Sequence, residues 1–208
     1  MIVANSLFNV NTDLKIQCDT IRGYNFYQIE NFFTDPKKLV EFLDSNPPQL
    51  HKSNEEGSKN GIHFYDRSHE ISGADQIINA LSSLNIGKPP AQSTAYTNFT
   101  KFNYDKFNNY SDSYWWPHRD YGYTAIIYLN KYNGPGTNLY EDLNYDHPPL
   151  VEHSDPWRPK QNYKLFLTAE SSFNKLILFQ ARVFLHGMAI VDDTFFKEER
   201  KNLVLFFS

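Results

Sequence analysis

The hydrophobic positions of this chain change their rhythm once, near Pro90. Before it, two periods mix. Residues 24–30 (YNFYQIE) alternate well enough to predict a strand. Thr34-Asp35-Pro36 then supplies a helix-start signal, a capping carboxylate followed by proline in the first turn. Leu39, Val40, Phe42 and Leu43 share one helical face, and Asn46-Pro47-Pro48 ends the element. Residues 49–62 are polar and read as a surface loop. A second helix is predicted from about Ala74 to Leu84, with Ile77, Ile78, Leu81 and Leu84 inward and Gly87 and Pro89-Pro90 closing it.

After Pro90 the helical period disappears. Ala95–Tyr104, Tyr123–Leu129, Asn138–Tyr140, Asn162–Ala169, Lys175–Phe179, Val183–His186 and Asn202–Phe207 read as short strands separated by Gly, Pro, Asn and Asp clusters. Strands in series without intervening helices predict an antiparallel sandwich or barrel. The expected fold is therefore mainly β with N-terminal helices. One domain over residues 1–208 is expected, with strands and packing helices in 1–94 and the β-core in 95–208. The stretch from Asp142 to Gln161 is the longest irregular segment, of the length that often serves as a lid or binding loop.

Composition narrows the field. Phe and Tyr are abundant, at 17 and 14 residues, which suits a pleated surface. Net charge is −4, and the basic residues form no stripe, so no nucleic-acid partner is expected. No run approaches the ~18 apolar residues of a membrane span, and the N-terminus lacks a signal-peptide pattern. Cys18 is the only cysteine, so no disulfide forms within the chain and a cytoplasmic location is expected. Nothing in the pattern sets an oligomeric state.

The chemistry gathers in four residues: His118, Asp120, His186 and Arg200. Two histidines and a carboxylate can cap one face of an Fe(II) octahedron and leave the other face open. A lone His-x-Asp pair is weak, and His153-Ser154-Asp155 is a second copy. Topology separates the two. Between Asp120 and His186 there is room for four strands, enough to return a later strand beside the first pair, whereas Asp155 to His186 allows two. Each residue also has a plainer reading. Either histidine could be a satisfied core residue, Asp120 a turn cap, and Arg200 part of a solvated charge run. Their common order at strand edges, with Phe179, Phe184 and Leu185 close in sequence to exclude water, favours the metal.

Residues 95–208 resemble the Fe(II)- and 2-oxoglutarate-dependent dioxygenases, especially the prolyl-4-hydroxylase-like branch. The pair His118-x-Asp120 precedes a strand like TAIIYLN and a second like GPGTNLYED. A distal His186 is followed 14 positions later by Arg200, which begins a strand ending in aromatics. Ile29-Glu30-Asn31-Phe32-Phe33 is similar to the entry into that family's N-terminal helix. The resemblance implies a double-stranded β-helix (jelly-roll, cupin-like) fold, with Fe(II) on His118, Asp120 and His186. It implies 2-oxoglutarate as co-substrate, its distal carboxylate on Arg200, with O2 consumed. Asn202 stands where the family usually has Ser or Thr, and a tyrosine before the His-x-Asp pair, Tyr104 or Tyr110, would help hold the co-substrate. Trp115, Trp116, Tyr121 and Tyr123 would surround the open metal face, or else belong to the core.

The implied reaction hydroxylates a peptide side chain, an amino acid or another small molecule, with release of succinate and CO2. Three rivals stand beside it. The nucleic-acid-repair branch places a second arginine six positions after the first, where this chain has Phe206. A jelly-roll binding module would need no ligand set. A cupin-like metalloenzyme with another co-substrate would not need Arg200.

Overall fold

A computed structural model of the protein describes residues 7–46, 64–65, 74–83, 93–100, 109–143 and 157–207, with the backbone alone at 64–65, 74–75 and 93–100. The elements run β1 (Lys15–Ile21), β2 (Tyr24–Glu30), α1 (Pro36–Ser45), β3 (Phe64–Tyr65), α2 (Ala74–Ser83), β4 (Ser93–Thr100), β5 (Ser113–Trp115) and β6 (Tyr123–Tyr128). They continue with β7 (Gly134–Asp142), β8 (Trp157–Pro159), β9 (Tyr163–Ser171), β10 (Leu176–Gln180), β11 (Leu185–Met188), α3 (Thr194–Lys197) and β12 (Arg200–Phe207).

A seven-stranded sheet in the order β1-β2-β10-β6-β12-β4-β3 lies opposite a three-stranded sheet, β11-β7-β9. All pairings are antiparallel. From β6 onward the chain passes back and forth between the sheets, so strands distant in sequence become neighbours. This is the double-stranded β-helix, or jelly roll, on a mainly β chain with few helices.

Strand alternation assigns the two faces of the large sheet. Ile126, Tyr128, Ile177, Phe179, Val204 and Phe26 face the small sheet and meet Leu139, Ala169 and Phe184 there. Ala125, Ile127, Leu129, Leu176, Leu178, Leu203 and Leu205 face the other way, onto the helices. Leu39 and Leu43 of α1 and Ile77, Ile78 and Leu81 of α2 cover that face. The Asp35 side chain caps α1 by accepting from the Lys38 amide at 3.2 Å, with Pro36 in the first turn. Truncating a side chain as buried as Leu39 costs about 2–5 kcal/mol.

Several expectations shift. The predicted strand Val183–His186 lies at Leu185–Met188, and the strand predicted at Ala95–Tyr104 is found at Ser93–Thr100, residues 101–104 lying outside the described residues. β1, whose KIQCDTI is largely solvent-exposed, carries no clean apolar alternation, yet it pairs along its full length with β2. The stretch from Asp142 to Gln161 is not wholly irregular: Trp157–Pro159 form a strand on β5, and a 3-10 turn spans Lys160–Asn162. His153 and Asp155 lie outside the described residues.

Asn174 joins the N-terminal segment to the sandwich. It is buried, with φ +66°, a conformation asparagine tolerates better than most residues. Its side chain accepts from the Phe33 amide at 2.8 Å and donates to the Phe33 carbonyl at 2.9 Å. Its own backbone accepts from the Phe32 amide and donates to the Tyr128 carbonyl. Asn174→Ala strands the Phe33 groups, and it should lower unfolding free energy by about 2–4 kcal/mol in a urea titration. A loss under about 0.5 kcal/mol would contradict this role.

Candidate metal centre

The open end of the sandwich brings together three side chains the sequence keeps apart. His118 precedes β6 on the strand-like segment that follows β5, Asp120 lies two residues further on, and His186 is the second residue of β11. His118 and His186 form an isolated antiparallel bridge. The His118 amide donates to the His186 carbonyl at 2.9 Å, and the His186 amide donates back at 2.8 Å. Residues exchanging both bonds in this way put their side chains on the same face, about 5 Å apart at Cβ. The imidazole centroids are 4.4 Å apart.

Each imidazole is also turned by a carbonyl two residues earlier. His118 Nδ1 donates to the Trp116 carbonyl at 2.8 Å, and His186 Nδ1 donates to the Phe184 carbonyl at 3.0 Å. A carbonyl only accepts, so Nδ1 must carry the proton in both rings. In the neutral tautomer Nε2 is then the bare nitrogen. Both Nε2 atoms face Asp120 Oδ2, at 3.2 Å from His186 and 3.8 Å from His118. Among the described residues these three offer ligand atoms all within 4.8 Å of one another. Cis ligands bonded to one cation at about 2.1 Å lie roughly 3 Å apart, so little movement would be needed to share one.

The electrostatics agree with that donor set. Burial pushes the Asp120 carboxyl up. When the rings also carry a proton on Nε2, the His186 hydrogen bond and the charges of both imidazoles outweigh it and hold the group below the usual carboxylate range; a cation held by bare Nε2 atoms would take the place of those protons. The Thr124 hydroxyl adds a bond to Oδ2 at 3.4 Å. His186 is buried, with its ring 4.9 Å from Phe179 at a steep angle, while His118 and Asp120 are half-buried at the mouth. One side of the cluster is a dry aromatic floor and the other opens outward.

Arg200 opens β12 on the same inner face and is buried. Its guanidinium lies 5.8 Å from the Tyr128 ring centre and donates to the Gly136 carbonyl at 3.4 Å. Burial pulls its pKa down and Tyr128 partly restores it. Gly136 lies three residues along β7 from Leu139, the partner of His186, or about 10 Å at strand rise. Ile126, Leu139, Phe179 and Val204 belong to the buried apolar cluster on this face of the large sheet.

Tyr128 and Gly136 carry no motif and were not anticipated at this end of the site. The Tyr128 hydroxyl pairs with Thr137 Oγ1 at 2.8 Å. A Cβ on Gly136 would lie 2.7 Å from that hydroxyl, so glycine makes room for the phenol. The even positions of β6 that predict an inward Tyr128 were visible in the sequence; its partner on β7 was not.

Of the other expected residues, Asn202 shares the face of β12 that carries Arg200. Asn202 is buried beside Tyr128 in the β6–β12 ladder. Tyr104 lies outside the described residues. Tyr110 packs on Phe196 in an aromatic cluster with Trp115, Trp157 and Phe195. Trp116 stays close to the metal end, its ring 5.1 Å from that of His118, and Tyr121 is almost fully exposed. Tyr123 does not line the open face: it stacks on Phe207 and packs against the helix-covered core, because it is one residue out of step with Thr124. Leu185 likewise joins Tyr140 and Tyr163 on the outer side of the small sheet.

No family model matches the chain, and no curated protein matches it. Among solved structures it is similar to a Pseudomonas putida prolyl-4-hydroxylase, at 14% identity and TM-score 0.45, over 88% of this chain and 87% of that one. It is also similar to an oxidoreductase of the 2OG-Fe(II) oxygenase family from Burkholderia pseudomallei, at 15% identity and TM-score 0.43, over 86% and 80%. No helix among the described residues is long and apolar enough to cross a membrane.

Tyr128 gives this end of the site a pH signature. Burial pushes its pKa from 10.0 to about 12, against the smaller lowering effects of Arg200 and Thr137. The unfolded chain therefore releases this proton before the folded protein does. The stability it represents is complete below pH 10 and is lost as pH rises toward about 12. Denaturant midpoints across that window should fall more steeply in the wild type than in Tyr128→Phe, by up to about 1.4 kcal/mol per pH unit. Parallel curves would contradict it.

Proposed function

We propose that the protein is an Fe(II)- and 2-oxoglutarate-dependent oxygenase that hydroxylates a peptide side chain, an amino acid or another small molecule. The observation that carries this reading is the convergence of two Nε2 atoms and one ionised carboxylate, with a buried guanidinium bonded to the β7 backbone at Gly136, three residues from the strand partner of His186. Two imidazoles and a carboxylate on one face suit non-haem Fe(II) and leave positions for a chelating co-substrate and O2. Iron so held, with 2-oxoglutarate and O2, supplies the oxidising power for C–H hydroxylation and leaves succinate and CO2.

The chain's own residues position and insulate. The Trp116 and Phe184 carbonyls keep both rings in the tautomer that presents Nε2, and Thr124 steadies the carboxylate. Arg200 offers a planar fork to the distal carboxylate of 2-oxoglutarate, a shape that suits bidentate pairing. The Tyr128 and Thr137 hydroxyls adjoin that end. Phe179, Ile126, Leu139 and Val204 line the walls and exclude water, which strengthens each electrostatic contact inside. Substrate would enter past Trp116 and Tyr121.

His186→Ala should abolish Fe(II) binding and 2-oxoglutarate-dependent succinate release; release at the wild-type rate would refute the ligand assignment. Arg200→Ala should raise the KM for 2-oxoglutarate at least tenfold while changing Fe(II) affinity far less. Equal losses in both would show that Arg200 serves the fold and not the co-substrate.

A further inference from the structure

The backbone behind His118 is unusual in two ways that meet at one place. Trp116 has φ +38°, the left-handed region that a bulky residue enters at a cost of about 1–2 kcal/mol. It also precedes Pro117, and a residue before proline is normally extended. Held in this way, the Trp116 carbonyl receives the His118 Nδ1 proton at 2.8 Å. Across the bridge, Gly187 follows His186 directly. A Cβ there would lie 2.4 Å from the Trp115 carbonyl oxygen and 3.1 Å from that of Trp116. Both obstacles are backbone atoms, which cannot swing aside as a side chain tip can.

Resting on the metal reading above, we propose that Trp116 and Gly187 are positioning residues for iron. Gly187 lets the Trp115-Trp116 peptides press against β11, and that contact holds Trp116 in its left-handed conformation and aims its carbonyl at His118. The inference extends to backbone what the donor set shows for side chains. His186 belongs to a regular strand, whereas His118 lies on a short segment tied to β11 through the bridge and this contact among others. Local strain persists only where surrounding structure over-determines it, and here the surroundings are the glycine and the two bridging hydrogen bonds. The tryptophan ring is secondary to its carbonyl, which glycine at 116 would also supply without the left-handed penalty.

The test is anaerobic titration with Co(II), a spectroscopic stand-in for Fe(II), followed by d–d absorption, with circular dichroism and thermal unfolding as fold controls. Wild type should bind one Co(II) with a discrete spectrum. Gly187→Ala should stay folded, bind Co(II) ten- to a hundredfold more weakly and show a shifted spectrum, because His118 is displaced while His186 and Asp120 stay. Trp116→Pro, whose ring holds φ at about −65° and so excludes the left-handed conformation, should weaken binding at least tenfold with a shifted spectrum. A folded Gly187→Ala with wild-type affinity and spectrum overturns the proposal. If Gly187→Ala does not fold, Trp116→Pro decides: wild-type affinity and spectrum overturn the carbonyl mechanism, and a tenfold loss with a shifted spectrum in a folded protein supports it. A wild-type protein that binds no Co(II) removes the metal reading, and this proposal with it.

Discussion

Two backbone hydrogen bonds, exchanged between His118 and His186, set the geometry on which the site depends. They join the segment ahead of β6 to β11, and so connect the large sheet's entry to the small sheet. A side-chain contact could have brought the imidazoles close, but only a main-chain pairing fixes their relative direction. Once both backbones are paired, the ring orientation follows from the Nδ1 bonds to Trp116 and Phe184, and Asp120 closes the set from two residues away. The cluster is preorganised by elements that owe their own stability to the two cores on either side of the large sheet.

That preorganisation places polar groups inside an apolar sandwich, and the fold accommodates them by pairing. Tyr128 has Thr137, Arg200 has the Gly136 carbonyl and an aromatic face, and Asp120 has both imidazoles and Thr124. A buried guanidinium is costly in isolation, so its position on an inner strand face, away from the helix-covered side, is informative. The opposite face packs Ala125, Ile127, Leu203 and Leu205 beneath the helices.

Much of this was legible in the sequence, for physical reasons. The start of α1 followed from the capping chemistry of Asp35 and Pro36. β6, β9, β10 and β12 followed from apolar runs bounded by turn residues. The convergence of His118, Asp120 and His186 was legible in their common order at strand edges, although each alone has a plainer reading. What escaped was set by partners far away. β5 and β8 are three residues each and exist because Trp115 meets Trp157. β1 is a strand because β2 offers it an edge, although its exposed residues show no clean alternation. The sequence leaves Tyr123 between the open face and the core, and strand alternation turns it to the core, which shows how a one-residue offset moves a side chain to the other side of a sheet. Gly136 and Gly187 matter through the atoms that occupy the space of their missing Cβ, and no local pattern reveals those.

The most direct test is a crystal grown with Mn(II) and N-oxalylglycine, measured at the manganese absorption edge. The expected anomalous peak lies within coordination distance of His118 Nε2, His186 Nε2 and an Asp120 oxygen, with the inhibitor's distal carboxylate on Arg200. A peak bound elsewhere, or an inhibitor carboxylate that leaves Arg200 untouched, would contradict it.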